Sequence, residues 1–254
     1  MKDIYSKIIE LKESGTNAML CTIVQTKGST PLKAGAKMLV VSDNIIYGTV
    51  GGGSIENQTI TNALELAKTN KSNLLHIELI SKEGTSCGGT AEIFIEPIMN
   101  TQKLYIFGAG HVGKALVQHL ENIDFDITVI DDRQDIFNDW IPGNYKKVTV
   151  NIDEFLNQMQ FEENIFIAII TYDHKIDWQI LSFCADKKWK YLGMMGSKSK
   201  VKQMKNKLLE MDIKSDIISK INMPIGLEIN DETANEIAIS IAGEMIFEKN
   251  KLRK

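Results

Sequence analysis

The chain has 254 residues, 43% of them hydrophobic and 24% charged, a composition that excludes a disordered chain, a collagen-like repeat and a disulfide scaffold. That length amounts to one or two domains, enough to bury a core without disulfide or metal staples. The net charge of −4 argues against a broad nucleic-acid-binding face, and no apolar run approaches the ~18 residues a membrane span needs.

The opening run MKDIYSKIIELKESG reads as a charged amphipathic helix over 3–14 rather than a leader, and the chain is expected to be cytoplasmic. Strands are expected at 18–24, 36–41 and 44–48, a helix at 55–68, and further strands at 74–80 and 91–96. This mixture lacks strict alternation and predicts an α+β domain over residues 1–100. After the polar step at 96–102 the rhythm changes. Strands at 103–107, 126–130, 147–150, 165–171 and 190–193 alternate with helices at 111–121, 152–158, 175–187 and 198–210. Short apolar strands alternating with helices predict a Rossmann-like, doubly wound parallel sheet over 101–254, so the chain as a whole is α/β. The last helix, 234–249, opens on Thr233-x-x-Glu236, the spacing of a capping box.

Within the second domain, Gly108-Ala-Gly110-His-Val-Gly113 follows a predicted strand and opens a predicted helix. In such a fingerprint the first glycine permits a tight turn, the second lets backbone approach a pyrophosphate, and the third lets helix pack on strand. Asp131 stands 18 positions after Gly113, the place of a ribose-binding acid, and the adjacent Asp132 can share or take that role. Arg133 suits a 2′-phosphate, but its two acidic neighbours favour an NAD-like over an NADP-like ligand. The fingerprint serves a redox dinucleotide and a pterin dinucleotide equally.

Four other clusters carry chemistry. Gly51-Gly52-Gly53 precedes a helix whose first turn holds Glu56, an arrangement open to an anion approaching the backbone. Cys87-Gly88-Gly89 sits in a glycine-rich loop, where a thiolate is a soft ligand suited to molybdenum-like or sulfur chemistry. Cys21 and Cys184 fall on element patterns and read as core. Thr171-Tyr-Asp173-His174-Lys-Ile-Asp177 follows the strongest strand of the second half, where Asp173 or Asp177 can cap a helix and His174 can act as a general acid or base. Met195-Gly-Ser-Lys-Ser-Lys200 has the look of a phosphate-contacting turn. The four histidines show no metal-ligand spacing.

Taken in order, GSTPLKAGAKMLV, GTVGGGSIEN, CGGTAEIFIEP, LYIFGAGHVGKAL, ITVIDDR, TYDHKID, YLGMMGSKSK, MPIGLEI and ETANEIAISIAGE resemble the XdhC/CoxI family, accessory proteins of molybdenum hydroxylases, over nearly the whole chain. The resemblance implies an N-terminal XdhC/CoxI domain and a C-terminal Rossmann-like domain. It implies binding of molybdenum cofactor (molybdopterin or its dinucleotide form), help in its sulfuration, and delivery to an apo-molybdenum hydroxylase. A cysteine desulfurase partner and a homodimer are implied with it. The site residues it carries over are Gly51, Gly52, Gly53, Glu56, Cys87, Gly88, Gly89, Gly108, Gly110, Gly113 and Asp131. The chain departs from the pattern at Ser54, where members often carry cysteine, and at Asn222, Asn230 and Ala234, which argues against a two-cysteine site. Two rival functions remain open: an NAD-dependent oxidoreductase using Asp173 or His174, and an interaction scaffold on a vestigial nucleotide fold. The absence of a Tyr-Lys or His-Asp catalytic pair favours a cofactor carrier over the oxidoreductase, with Cys87, Asp173 and His174 as the candidates should there be turnover.

Overall fold

The computed structural model describes residues 3–42, 45–78, 89–98, 101–230 and 232–251. It falls into two compact units, the first ending at Thr101 and the second Gln102–Lys251.

The first unit runs α1 (Ile4–Glu13), β1 (Ala18–Lys27), β2 (Lys37–Val41), β3 (Ile46–Gly48), α2 (Gly53–Ala67), β4 (Asn73–Glu78) and β5 (Thr90–Ile98). Its sheet has the order β3-β2-β1-β5-β4, and every pairing is antiparallel. The period-2 alternation of the strands sorts their side chains to two faces. Met38 and Val40 join Met19, Cys21, Ile23, Ile93 and Ile95 beneath Ile55 and Ala63 of α2. Leu39 and Val41 point the other way, against Leu11 of α1. β1 is longer than its apolar run predicts, because a register shift between Ile23 and Gln25 lets it keep pairing with β5 as far as Lys27. The ends expected at 44 and at 79–80 lie outside the described residues.

The second unit runs β6 (Gln102–Phe107), α3 (His111–Leu120), β7 (Phe125–Asp131), β8 (Tyr145–Thr149), α4 (Ile152–Gln158), β9 (Phe166–Ile169), α5 (His174–Cys184), β10 (Tyr191–Met194), α6 (Lys198–Glu210), α7 (Ser215–Ile218) and α8 (Ala234–Asn250). The strands stand in the order β10-β9-β6-β7-β8, parallel throughout. Counted from β6 this is the doubly wound order, with its reversal between β6 and β9. One face packs Leu104, Ile106, Ile127 and Val129 against α3 and the Ala238, Ile241 and Met245 stripe of α8. The other packs Phe107, Ile130, Ile167, Ile169 and Leu192 against α4, α5 and α6. The capping box of α8 forms as its spacing predicts, with Thr233 and Glu236 each bonding the other's backbone N–H. α7 was not legible, being a single turn of four residues.

Candidate functional site

At the reversal, between the carboxyl ends of β6 and β9, lies a cavity of about 430 Å³, the position at which open α/β sheets bind ligands. The three fingerprint glycines contribute to it in different ways. Gly108 turns with φ +115°, and a Cβ there would lie 2.3 Å from the Ile170 carbonyl oxygen. A Cβ on Gly113 would lie 2.0 Å from the Gly108 carbonyl oxygen. Both are demanded by packing. Gly110 has φ −70° and ψ −168° as the N-cap of α3, a conformation any residue adopts, and a Cβ there would meet nothing within 4 Å. It lines the cavity. Its missing side chain leaves open the route by which a ligand reaches the first turn of α3.

Asp131 is not in the cavity wall. Its residue is 3% exposed, and its carboxylate accepts four N–H bonds: Ala109 N at 2.8 Å, Arg133 N at 3.1 Å, and Arg133 Nε and Nη2 at 2.8 Å each. Burial pushes its carboxyl upward, but the bonds from Arg133 and Ala109 outweigh that and hold it below the usual carboxylate value. In this conformation the acceptors of Asp131, the acid expected to meet a ribose, are taken by the glycine turn and by Arg133. Arg133 takes its place in the wall. The guanidinium lies 4.5 Å over the Tyr172 ring, and the Tyr172 hydroxyl donates to Asp132 Oδ2 at 3.1 Å. Arg133 was named from sequence as a residue suited to a 2′-phosphate, but Tyr172 as its platform was not, since the two stand 39 positions apart.

The two polar motifs after β9 and β10 meet each other. Asp177, 2% exposed, accepts from the Thr171 hydroxyl at 2.7 Å and its backbone N–H at 3.2 Å. Lys200 donates to that carboxylate and to the Met195 carbonyl oxygen, the latter at 2.9 Å. Lys200 thus locks the turn after β10 onto the start of α5 instead of standing free for a phosphate. Asp173 is the N-cap of α5 and accepts from Lys175 N at 2.8 Å. His174 is exposed and does not line the cavity. Of the two acid-base candidates, then, Asp173 serves as a helix cap and His174 stands outside this wall.

In the first unit the glycine loops converge at one end of the sheet. Gly51, Gly52 and Gly53 all have positive φ, 133°, 73° and 60°. A Cβ on Gly51 would press on Pro31 at 3.3 Å, whereas Gly52 and Gly53 have nothing within 4 Å. Gly52 caps α2 with no side-chain bond. Glu56 turns back on its own loop, its Oε2 accepting from the Thr49 hydroxyl at 2.6 Å and from Gly52 N at 2.9 Å. Gly89 donates to the Ser29 carbonyl oxygen at 3.2 Å, and a Cβ there would lie 2.5 Å from the Lys27 carbonyl oxygen. Cys87 and Gly88 lie outside the described residues. Cys21 and Cys184 are buried, and burial raises each thiol to about 12, as expected of core residues. Among the described residues no group of three metal-ligating side chains occurs, and no helix is long and apolar enough to cross a membrane.

Residues 104–245, more than half of the chain, match the XdhC Rossmann domain, and residues 11–78 match the XdhC and CoxI family. The chain belongs to the XdhC and CoxI family. Among its relatives, Escherichia coli (strain K12) YqeB is 29% identical over 98% of this chain, which spans only 46% of that protein's length. A Bacillus subtilis (strain 168) protein, named as one subunit of a probable xanthine dehydrogenase, is 21% identical, with 99% of both chains covered. A Bacillus halodurans crystal structure named as a xanthine dehydrogenase shares the fold, with a TM-score of 0.52, 20% identity and 95% of both chains covered. This XdhC and CoxI family chain carries its departures at definable places. Ser54 lies exposed in the first turn of α2. Asn222 bridges β10 through its backbone, donating to the Leu192 carbonyl oxygen at 2.9 Å and accepting from Met194 N at 3.0 Å. Asn230 takes φ 56°, and Ala234 starts α8.

Proposed function

We propose that this chain is an accessory factor of a xanthine dehydrogenase-type molybdenum hydroxylase, which binds molybdenum cofactor, assists its sulfuration with a cysteine desulfurase, and hands it to the apo-enzyme. Membership of the XdhC and CoxI family, with both of its domains matched in one chain, is the observation that carries the reading. The naming of one relative as part of a xanthine dehydrogenase supports it.

Features of the first unit support the reading. Open space at Gly52 and Gly53 lets a ligand reach the backbone, and the first turn of α2, whose N-cap Gly52 supplies no side-chain bond, would offer an anion such as the cofactor's phosphate the N–H groups beyond the one that Glu56 already takes. Cys87 would supply a soft thiolate two residues before Gly89, which packs on the 27–29 turn. The bound cofactor would supply the metal and its sulfur ligand; the chain's own part is to hold and orient it. The second unit contributes a separate nucleotide site, supported by the bare Gly110 in the cavity wall.

Anaerobic purification followed by mass spectrometry and metal analysis tests the proposal. A copurifying pterin with molybdenum, and activation of an apo-hydroxylase by the loaded protein, are expected. Absence of pterin and molybdenum after expression in a molybdenum-replete cell, together with no activation, would overturn it.

A further inference from the structure

The cavity of the second unit has Arg133 in its wall, while the neighbouring Asp131 is withdrawn from it. A carboxylate has about four acceptor sites, and those of Asp131 meet four N–H donors, at Ala109 N and at Arg133 N, Nε and Nη2. With its side chain 2% exposed, the carboxylate has neither capacity nor access left for ribose hydroxyls. Arg133 is different. Its side chain is 37% exposed, it lies in the wall, and Nε and Nη2 are the atoms that bond the Asp131 side chain. A guanidinium has five N–H donors, so those on Nη1 and the second on Nη2 are left over by Asp131.

The guanidinium is also held in place. The Asp131 carboxylate grips one edge, and the Tyr172 ring supports a face at 4.5 Å. That ring is itself fixed by the bond from its hydroxyl to Asp132. A planar, immobilised fork of donors matches the oxygens of a phosphate and mismatches a hydroxyl pair. Lys114 adds a second cation to the wall, tethered by its bond to the Asp139 carbonyl oxygen at 2.6 Å, while Asp139 is the wall's carboxylate.

We infer that this end of the cavity reads a phosphate monoester on the ribose, as in a 2′-phosphorylated adenine dinucleotide, and that Arg133 determines the preference over a free diol. The inference rests on the reading of the second unit as a nucleotide site, and it reverses the NAD-like preference expected from the Asp131-Asp132 pair.

Titration calorimetry of the full chain with NADP⁺ and NAD⁺, repeated with adenosine 2′,5′-bisphosphate and 5′-AMP, tests it without a variant. The 2′-phosphorylated member of each pair should bind at least about tenfold more tightly. In Arg133→Gln the preference should collapse to within about threefold, through weaker NADP⁺ binding and, with Asp131 uncovered, stronger NAD⁺ binding. Circular dichroism establishes that the variant is folded. Equal or tighter binding of NAD⁺ by the native chain, abolished in Gly110→Val, would overturn the phosphate assignment while leaving the nucleotide site standing. No binding by any of the four compounds, or binding unaffected by Gly110→Val, would overturn both.

Discussion

A Cβ on Gly113 would lie 2.0 Å from a backbone oxygen, whereas one on Gly110 would have nothing within 4 Å. The same motif therefore contains one glycine that the fold needs and another that it does not, and the second is the one a ligand explains. Gly113→Ala should cost about 3 kcal/mol, since neither helix nor turn can yield without breaking backbone bonds. Gly110→Val should stay within about 1 kcal/mol of the native stability, read as a small shift in melting temperature, yet weaken nucleotide binding more than tenfold. Equal destabilisation by both would remove the distinction. Asp131 invites a pH test. Its folded carboxyl sits below the ordinary value of 3.8, so its contribution to stability is full above that pH and is lost as pH falls through the folded value. Asp131→Asn keeps the shape but weakens the bonds from Arg133 and Ala109, and should cost about 1.5–3 kcal/mol at neutral pH. The difference from the native chain should shrink in melts below pH ~4; a gap independent of pH would show that the charge contributes nothing.

α5 and α6 are joined at their N-terminal ends by a part-buried ion pair, Asp177 with Lys200. Lys200 also satisfies the Met195 carbonyl oxygen, and Asp177 holds the Thr171 backbone, so the turns following β9 and β10 share a single tie. Lys200→Ala would leave Asp177 buried without its cation and should cost about 3 kcal/mol. Chemical denaturation of the two single variants and the double variant would measure the coupling, and additive losses would show that the tie is not energetic. Much of the architecture was legible without coordinates: the alternating strands of β1 and β2, the rhythm of the second half, and the Thr233–Glu236 box each depend on neighbours a few residues away. The Asp177–Lys200 tie was not, because its partners lie 23 positions apart and each matched a local pattern, a helix cap and a phosphate turn, that explained it alone. The bonds of Asp131 to Arg133 were hidden for a related reason. The spacing from Gly113 is the same whether its carboxylate faces a ribose or an arginine two residues on.

Two of the three thiols are placed in the core. Cys21 lies in the core between β1 and α2, and Cys184 in the core beneath α5. Burial raises both to about 12, leaving almost no thiolate at neutral pH, and thiolate is the reactive form. Alkylation of the native chain should therefore modify one position first, mapped by peptide mass spectrometry to Cys87, with Cys21 and Cys184 reacting only after unfolding. Early modification of Cys21 or Cys184 would contradict their burial. The functional consequence is separable, because the proposed cofactor loop and the nucleotide cavity belong to different units of the chain. Cys87→Ser should lower molybdenum retention and hydroxylase activation several-fold, with the melting temperature little changed and nucleotide affinity intact. A cysteine that serves only packing gives the opposite pattern: a lower melting temperature, and normal molybdenum content in whatever remains folded. Measuring melting temperature, molybdenum and nucleotide affinity on the same preparation decides between the two. Full retention and full activation would shift the whole site onto the Gly51–Gly53 loop, where the backbone at the start of α2 would then have to hold the cofactor without a thiolate.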